Sequence, residues 1–162
     1  LKEWSVAGLK AIPESFGFYQ QKDQAVFEAK ILPDLETPAG KGAIEIAIVK
    51  GSARDNDSDL QFFALYGNEL TARTSYRISF WMKAASAEVF RTSVIQNENP
   101  WGPVGEPANL SLTTAVEWKL FVYDFKTGAG ETKKTRLPLF MLGKCRAGQK
   151  LWVGKIKLEK NG

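Results

Sequence analysis

Short runs in which apolar and polar residues alternate, separated by turn residues, most limit what this chain can fold into. The clearest lies at Tyr76–Lys83, where every second residue from Tyr76 to Met82 is apolar. A period of two is typical of a strand that buries one face. The other predicted strands are Ser15–Gln20, Ala25–Ile31, Ala43–Val49, Leu60–Tyr66, Glu88–Gln96, Val116–Phe125, Arg136–Leu142 and Lys150–Leu158. About ten short strands without a helix of ordinary length predict an all-β sandwich or barrel.

Length and composition predict a single domain that folds without a disulfide. The chain has 162 residues, of which 44% are hydrophobic, and this is enough for one core. Its one cysteine, Cys145, allows neither an internal disulfide nor a zinc cluster. No apolar run approaches the roughly 20 residues that cross a bilayer, so we expect no membrane partner. Because Leu1 is not a start methionine, we expect residues 1–162 to be one domain excised from a larger protein.

The distribution of charge argues against nucleic acid as a partner. The net charge is +4, and the 22 basic and 18 acidic residues are spread along the sequence. The densest basic cluster, Lys133, Lys134 and Arg136, lies beside Glu131 and after a Gly-Ala-Gly turn. This pattern indicates a solvated loop, whereas a nucleic-acid-binding protein carries a continuous basic stripe.

The absence of histidine excludes most hydrolytic mechanisms. Without it there is no Ser-His-Asp triad, no Cys-His nucleophile and no histidine-bound metal. Glycoside hydrolysis needs only two carboxylates, roughly 5–9.5 Å apart. However, Glu88, Glu98, Glu106 and Glu117 are scattered and form no recognisable catalytic pair. The sequence therefore favours binding over catalysis.

Two tryptophans are candidate platforms for a ligand. Trp81 shares its predicted strand face with Arg77 and Ser79, where a solvated sheet would carry only hydrophilic groups. A wide ring among hydrogen-bonding groups suits a flat ligand with hydroxyls. Trp101 lies in a loop of prolines and glycines that offers little sheet to bury it. Trp101 is therefore either a sugar platform or a lid packed over the edge of the sandwich.

Polar side chains near these tryptophans could bind hydroxyl groups, since amides and guanidinium groups hold donors and acceptors in fixed planes. The candidates are Arg77, Arg91, Gln96, Asn97 and Asn99. Arg77 and Arg91 lie on consecutive predicted strands and share the parity of the non-core face, so we predict that they flank Trp81; ordinary surface arginines are the alternative. Because Gln96 and Asn97 are neighbours in the chain, we expect only one of them to face a ligand.

Several segments of the second half are similar, in order and spacing, to those of one protein family. They are Tyr76–Ala84, Pro100–Gly105, Leu112–Thr114, Glu117–Trp118, Phe125, Leu139–Gly143, Leu151–Val153 and Ile156–Leu158. Together they resemble family 4/9-type carbohydrate-binding modules over roughly residues 43–158. The resemblance implies a jelly-roll β-sandwich of two antiparallel sheets.

The resemblance also implies what the domain does. It implies a secreted, non-catalytic, monomeric module that binds a polysaccharide such as β-glucan, xylan, mannan or galactan and targets a covalently linked glycoside hydrolase to it. Two alternatives are a structural or adhesion sandwich that binds no glycan and a jelly-roll enzyme that degrades polysaccharide. The absence of a carboxylate pair disfavours the enzyme.

The family often carries a structural calcium ion, and here the sequence departs from its pattern. Gly154 stands where the last strand often has an aspartate that helps hold calcium. Asp55, Asp57 and Asp59 supply oxygens at alternating positions but lack the glycine and distant glutamate of a helix-loop-helix calcium loop. We therefore expect that no cofactor is required, with a structural calcium as the alternative.

Overall fold

A computed structural model describes residues 2–130 and 134–161. Within these residues the chain forms strands and one short 3-10 turn at Asp57–Asp59. The strands are β1 (Lys2–Trp4), β2 (Phe16–Gln20), β3 (Val26–Thr37), β4 (Gly40–Lys50), β5 (Leu60–Tyr66), β6 (Ser75–Ala84), β7 (Val89–Gln96), β8 (Asn109–Thr113), β9 (Lys119–Lys126), β10 (Thr135–Met141) and β11 (Lys150–Lys160). The described residues contain no helix long and apolar enough to cross a membrane.

The strands form two antiparallel sheets that pack face to face. The first sheet has the order β3-β4-β11-β6-β9, with β1 also paired to β11, and the second has the order β2-β5-β10-β7-β8. From β4 to β7 each successive strand joins the opposite sheet, as in a jelly roll. The predicted fold class, an all-β jelly-roll sandwich, is confirmed.

The inner faces of both sheets form the core because apolar residues occupy every second position. On β6, the residues Tyr76, Ile78, Phe80 and Met82 are all at most 1% exposed, as their alternation predicts. Phe140 of β10 meets them from the second sheet, with its ring centroid 4.8 Å from that of Phe80. Aromatic rings therefore connect the two sheets through the middle of the sandwich.

Two described strands were not predicted. β1 has only three residues, and β8 pairs only with β7 at the edge of the second sheet. β1 is too short to show a period of two. Asn109–Thr113 does alternate, with Leu110 and Leu112 between polar residues, so the sequence carries a signal for β8 that was overlooked. In the predicted basic loop, Glu131 and Lys133 lie outside the described residues.

β5 is buried on both faces, as its almost continuous apolar sequence predicts. Phe63 points away from the core yet is only 6% exposed, because it packs with Leu139 and Met141 in a second apolar cluster. Gly17 on the neighbouring strand lacks a Cβ, which leaves the space that the Phe63 ring occupies. The outer face of the second sheet therefore has an apolar floor.

Cys145 is expected to be unreactive in the native protein. The residue is 3% exposed, and burial raises the pKa of its thiol to about 12. Since the thiolate is the reactive form, native protein at pH 8 should not react with a thiol-specific disulfide reagent such as DTNB over minutes. Denaturant should release one thiol per chain. Rapid reaction of the folded protein would contradict the burial.

Candidate functional site

A groove of about 520 Å³ lies on the outer face of the second sheet. Its lining residues are Tyr19, Gln21, Arg54, Ser58, Asp59, Gln61, Ile95, Trp101 and Arg136. Ligand sites are typically roughly 300–1,000 Å³, so the groove can hold a small molecule or part of a polymer. Apolar side chains, polar groups and charges meet there.

The register of the second sheet brings the groove residues together. Tyr19 on β2 lies opposite Gln61 on β5, and Arg136 on β10 lies opposite Ile95 on β7. Their sequence neighbours point into the core, so these side chains point outward. Four strands, distant in sequence, thus contribute to one surface.

Trp101 forms an exposed rim of the groove. Its side chain is 48% exposed, and its φ of 60° is unusual for a bulky residue. A hydrogen bond from the Trp101 N–H to the Glu98 carbonyl (2.7 Å) and one from the Gly102 N–H to Gln96 Oε1 (3.2 Å) hold the loop. Such a backbone conformation persists only where its surroundings fix it. Of the two predicted roles, this exposure favours the platform over the lid.

Arg136 supports Trp101 from below. Its guanidinium carbon lies 4.8 Å from the centroid of the Trp101 ring and 4.0 Å from that of Phe63. Nε donates to Asn97 Oδ1 (2.9 Å), and Nη1 donates to Gln61 Oε1 (2.7 Å). Burial lowers the pKa of the guanidinium, although an arginine stays charged in proteins. Arg136 therefore lies on β10, in agreement with the predicted strand Arg136–Leu142, and only its grouping with the solvated basic cluster is wrong.

The opposite wall of the groove is an ion pair. Arg54 donates from Nε to Asp59 Oδ2 (2.9 Å) and from Nη2 to Oδ1 (2.6 Å), while Ser52 Oγ donates to Oδ2 (2.7 Å). These hydrogen bonds, chiefly those from Arg54, lower the pKa of the Asp59 carboxyl. Asp59 is only 2% exposed. Both of its oxygens are thus already occupied by protein donors.

The Asp55–Asp59 segment does not fit a calcium ion. Asp59 is held by Arg54, and Asp57 Oδ1 accepts a hydrogen bond from Arg91 Nη2 (3.0 Å). Across residues 2–130 and 134–161, no group of three or more histidine, cysteine, aspartate or glutamate side chains could hold a metal. Binding of Ca²⁺ by these carboxylates would require the Arg54–Asp59 and Arg91–Asp57 pairs to break.

Trp81 and Arg77 lie on the other side of the sandwich. Trp81 is half-buried on the outer face of the first sheet and lines a separate depression of about 370 Å³ with Lys155 and Lys157. Arg77 forms a bidentate pair with Asp124, with Nε–Oδ1 and Nη2–Oδ2 distances of 2.8 and 3.1 Å. Trp81 and Trp101 therefore cannot contact the same bound residue of a ligand.

Arg77 shares the outer face of β6 with Trp81, but the predicted placement of Arg91 beside Trp81 is wrong. Consecutive strands do not always neighbour each other in a jelly roll, and here β6 belongs to the first sheet and β7 to the second. Arg91 shares the outer face with the groove but pairs with Asp57 and lines a smaller depression of about 190 Å³.

Gln96, the last residue of β7, and Asn97 and Asn99, which follow it, lie close to the groove. Asn97 orients Arg136, and Gln96 braces the backbone at Gly102. Asn99 is exposed in the same loop. The amide oxygens of Gln96 and Asn97 are both used within the protein, so these two residues position the site.

Sequence reasoning missed Tyr19, Gln61 and Arg54 as well as Arg136. Tyr19 is 41% exposed and its hydroxyl donates to Gln21 Oε1. One signal for Tyr19 was available in the sequence. Tyr19 lies on the same face of its predicted strand as Gly17 and opposite to Phe16 and Phe18, so it is an aromatic residue on the non-core face. For Gln61 and Arg54 we find no comparable signal, because their proximity depends on the strand pairing.

Comparison with solved structures identifies the fold. No protein-family model matches the sequence, and no curated protein matches it. The chain is similar to a family 4 carbohydrate-binding module, with a TM-score of 0.68, 18% identity, and coverage of 90% of this chain and 86% of the other. It is also similar to the N-terminal cellulose-binding domain of Cellulomonas fimi β-1,4-glucanase C, with a TM-score of 0.61, 18% identity, and coverage of 96% and 94%.

A third solved structure has the same fold at lower identity. It is the xylan-binding domain CBM22-1 of Paenibacillus barcinonensis, with a TM-score of 0.63, 8% identity, and coverage of 98% of this chain and 92% of the other. The chain therefore has the jelly-roll fold of carbohydrate-binding modules. The resemblance found in the sequence is confirmed at the level of the fold.

Proposed function

We propose that this domain is a non-catalytic carbohydrate-binding module and that its ligand site is the groove between Trp101 and Arg54. The observation that carries the proposal is the exposed Trp101 ring, which a constrained loop and Arg136 hold at the rim of the groove. A rigid aromatic ring beside polar groups is the arrangement that a sugar needs, because a pyranose has an apolar C–H face and an edge of hydroxyls.

Binding would combine stacking with hydrogen bonding. Trp101 and Tyr19 offer aromatic faces, and Ser58, Gln61 and Arg54 offer polar atoms along the groove. The lining described above contains one carboxylate, Asp59, and Arg54 neutralises it. Glycoside hydrolysis by the usual mechanism needs two carboxylates, so this lining favours binding over catalysis.

The ligand class that we propose is a β-glycan such as β-glucan, xylan, mannan or galactan. The names of two structural neighbours, a cellulose-binding and a xylan-binding domain, support this class. We further propose that the domain is secreted, monomeric and linked to a glycoside hydrolase. Tethering would then raise the enzyme's local concentration on the polymer.

The first test is affinity electrophoresis of the purified domain in gels containing one soluble polysaccharide each, with bovine serum albumin as a non-binding control. At least one β-glycan should retard the domain. A chelator should not change the retardation, because Asp57 and Asp59 are paired with arginines. Loss of retardation with chelator would instead show a calcium requirement.

Two results would support the alternatives. If no polymer retards the domain, a structural or adhesion role replaces the proposed function. If incubation with a polymer releases reducing ends, the domain is an enzyme. The same protein preparation serves both assays.

A further inference from the structure

Arg136 differs from the other arginines whose ion pairs the structure describes. Those arginines are bound to carboxylates, in the pairs Arg54–Asp59, Arg77–Asp124, Arg91–Asp57 and Arg146–Glu88. Arg136 is half-buried, and its described hydrogen-bond partners are the neutral amides of Asn97 and Gln61. A charge withdrawn from water without a counterion is costly. Within residues 2–130 and 134–161, the Arg136 guanidinium has no described carboxylate partner.

The guanidinium retains donors for a ligand. No hydrogen bond within the described residues uses Nη2, and Nη2 is not among the enclosed atoms that lack a partner. Phe63 and Trp101 enclose the guanidinium on two sides, while the amides fix its rotation. A planar, fixed fork of N–H donors matches a carboxylate.

The described lining of the groove does not supply a free carboxylate to pair with Arg136. Asp59 is the one carboxylate in the described lining, and Arg54 and Ser52 already occupy its oxygens. Two guanidinium groups and one carboxylate leave the lining with an excess of one positive charge. A neutral sugar would displace water from Arg136 and leave its charge unpaired. An acidic sugar would displace the water and also neutralise the charge.

We propose that the groove selects an acidic polysaccharide and that Arg136 binds the carboxylate of a uronic acid residue. This inference rests on the proposed carbohydrate-binding function and, at the same site, replaces the neutral glycans proposed above with polymers that carry uronic acid. The uronate carboxylate accepts hydrogen bonds from the free Nη2 edge of Arg136. Trp101, whose ring lies against the guanidinium, stacks on the same or the adjoining sugar.

The test compares one polymer in two chemical forms. Glucuronoxylan and polygalacturonate are each used native and after carboxyl reduction, which converts every uronate into a neutral sugar without changing its linkages. We expect the wild-type domain to bind at least one native polymer about 10-fold or more tightly than its reduced form, as a hydrogen-bonded ion pair provides. The preference should shrink as salt is raised.

Variants then assign the preference to Arg136. Arg136→Gln should bind the native and reduced forms equally, and Arg136→Lys, which keeps the charge but loses the planar fork, should show a smaller preference than wild type. Arg77→Gln removes the same charge from the opposite sheet and should keep the full preference. This control separates a specific carboxylate contact from attraction of a polyanion to a protein of net charge +4.

Each outcome has a defined meaning. Equal binding of native and reduced polymers by wild type overturns the acidic-ligand inference but leaves the carbohydrate-binding function standing. Binding of no polymer, neutral or acidic, overturns both. A sulfated polymer that binds more tightly than either uronate polymer overturns the carboxylate assignment. If Arg136→Gln does not fold, the wild-type comparison and Arg136→Lys still decide the inference.

Discussion

Trp101→Ala is expected to weaken polysaccharide binding about 30-fold or more while leaving the domain folded. Loss of an aromatic anchor from an interface costs about 2 kcal/mol or more. The Trp101 ring is 48% exposed and packs on Arg136 rather than in the core, so the free energy of unfolding should change by less than about 1 kcal/mol. Isothermal titration calorimetry with the polymer identified by electrophoresis measures the affinity, and thermal unfolding measures the stability.

Trp81→Ala is the matched control for this prediction. It removes the same side chain from the outer face of the first sheet, where Trp81 lines a separate depression. Affinity should stay within about twofold of wild type. The reverse pattern, with binding lost in Trp81→Ala and kept in Trp101→Ala, would move the site to the first sheet. Unchanged affinity in both folded variants would show that neither Trp101 nor Trp81 contacts the polymer.

The sequence predicts much of this fold because burial of one strand face leaves a local signal. Alternation in Tyr76–Lys83 identifies β6 and its core side, and the apolar run Leu60–Tyr66 matches the bounds of β5. Alternation predicts which side of its own sheet a residue faces. It does not predict which sheet the strand joins, and this is why alternation groups Arg77 with Arg91 although β6 and β7 lie in different sheets.

The candidate site is harder to predict for the same reason. Trp101 is recognisable locally, because a large aromatic residue in a loop of prolines and glycines has little to bury it. Arg136 and Gln61 are separated by 75 positions in the chain, and they meet only because β5 and β10 pair. Local composition gives a misleading signal here, because Arg136 begins a predicted strand but also follows two lysines closely, which groups it with the solvated basic cluster. Contacts between distant strands carry no local signature.

The two faces of β10 divide stability from binding. Phe140 points into the core between the sheets, whereas its neighbours Leu139 and Met141 join Phe63 under the outer face. Arg136 leaves the same strand toward the groove. A substitution on the core face should therefore lower stability and leave the affinity unchanged, and a substitution at the groove should do the reverse. This difference tests the proposed binding face separately from the core.

Phe140→Ala is expected to destabilise the domain by about 3–5 kcal/mol without changing the affinity of the folded protein. The side chain is fully buried, and its ring lies 4.8 Å from Phe80, 5.6 Å from Phe62 and 5.5 Å from Phe90. Removing it leaves a cavity between the two sheets, and large-to-small aromatic substitutions in a core cost this much.

Urea unfolding of wild type, Phe140→Leu and Phe140→Ala measures the loss, which should be smaller for leucine because leucine fills part of the cavity. Titration with the polymer under conditions where Phe140→Ala is folded should give the wild-type affinity, since Phe140 faces away from the groove. A loss of stability below about 1 kcal/mol would contradict the described core. Weaker binding by the folded variant would show that the groove depends on core packing, and the outer face of the second sheet would then not act as an independent binding surface.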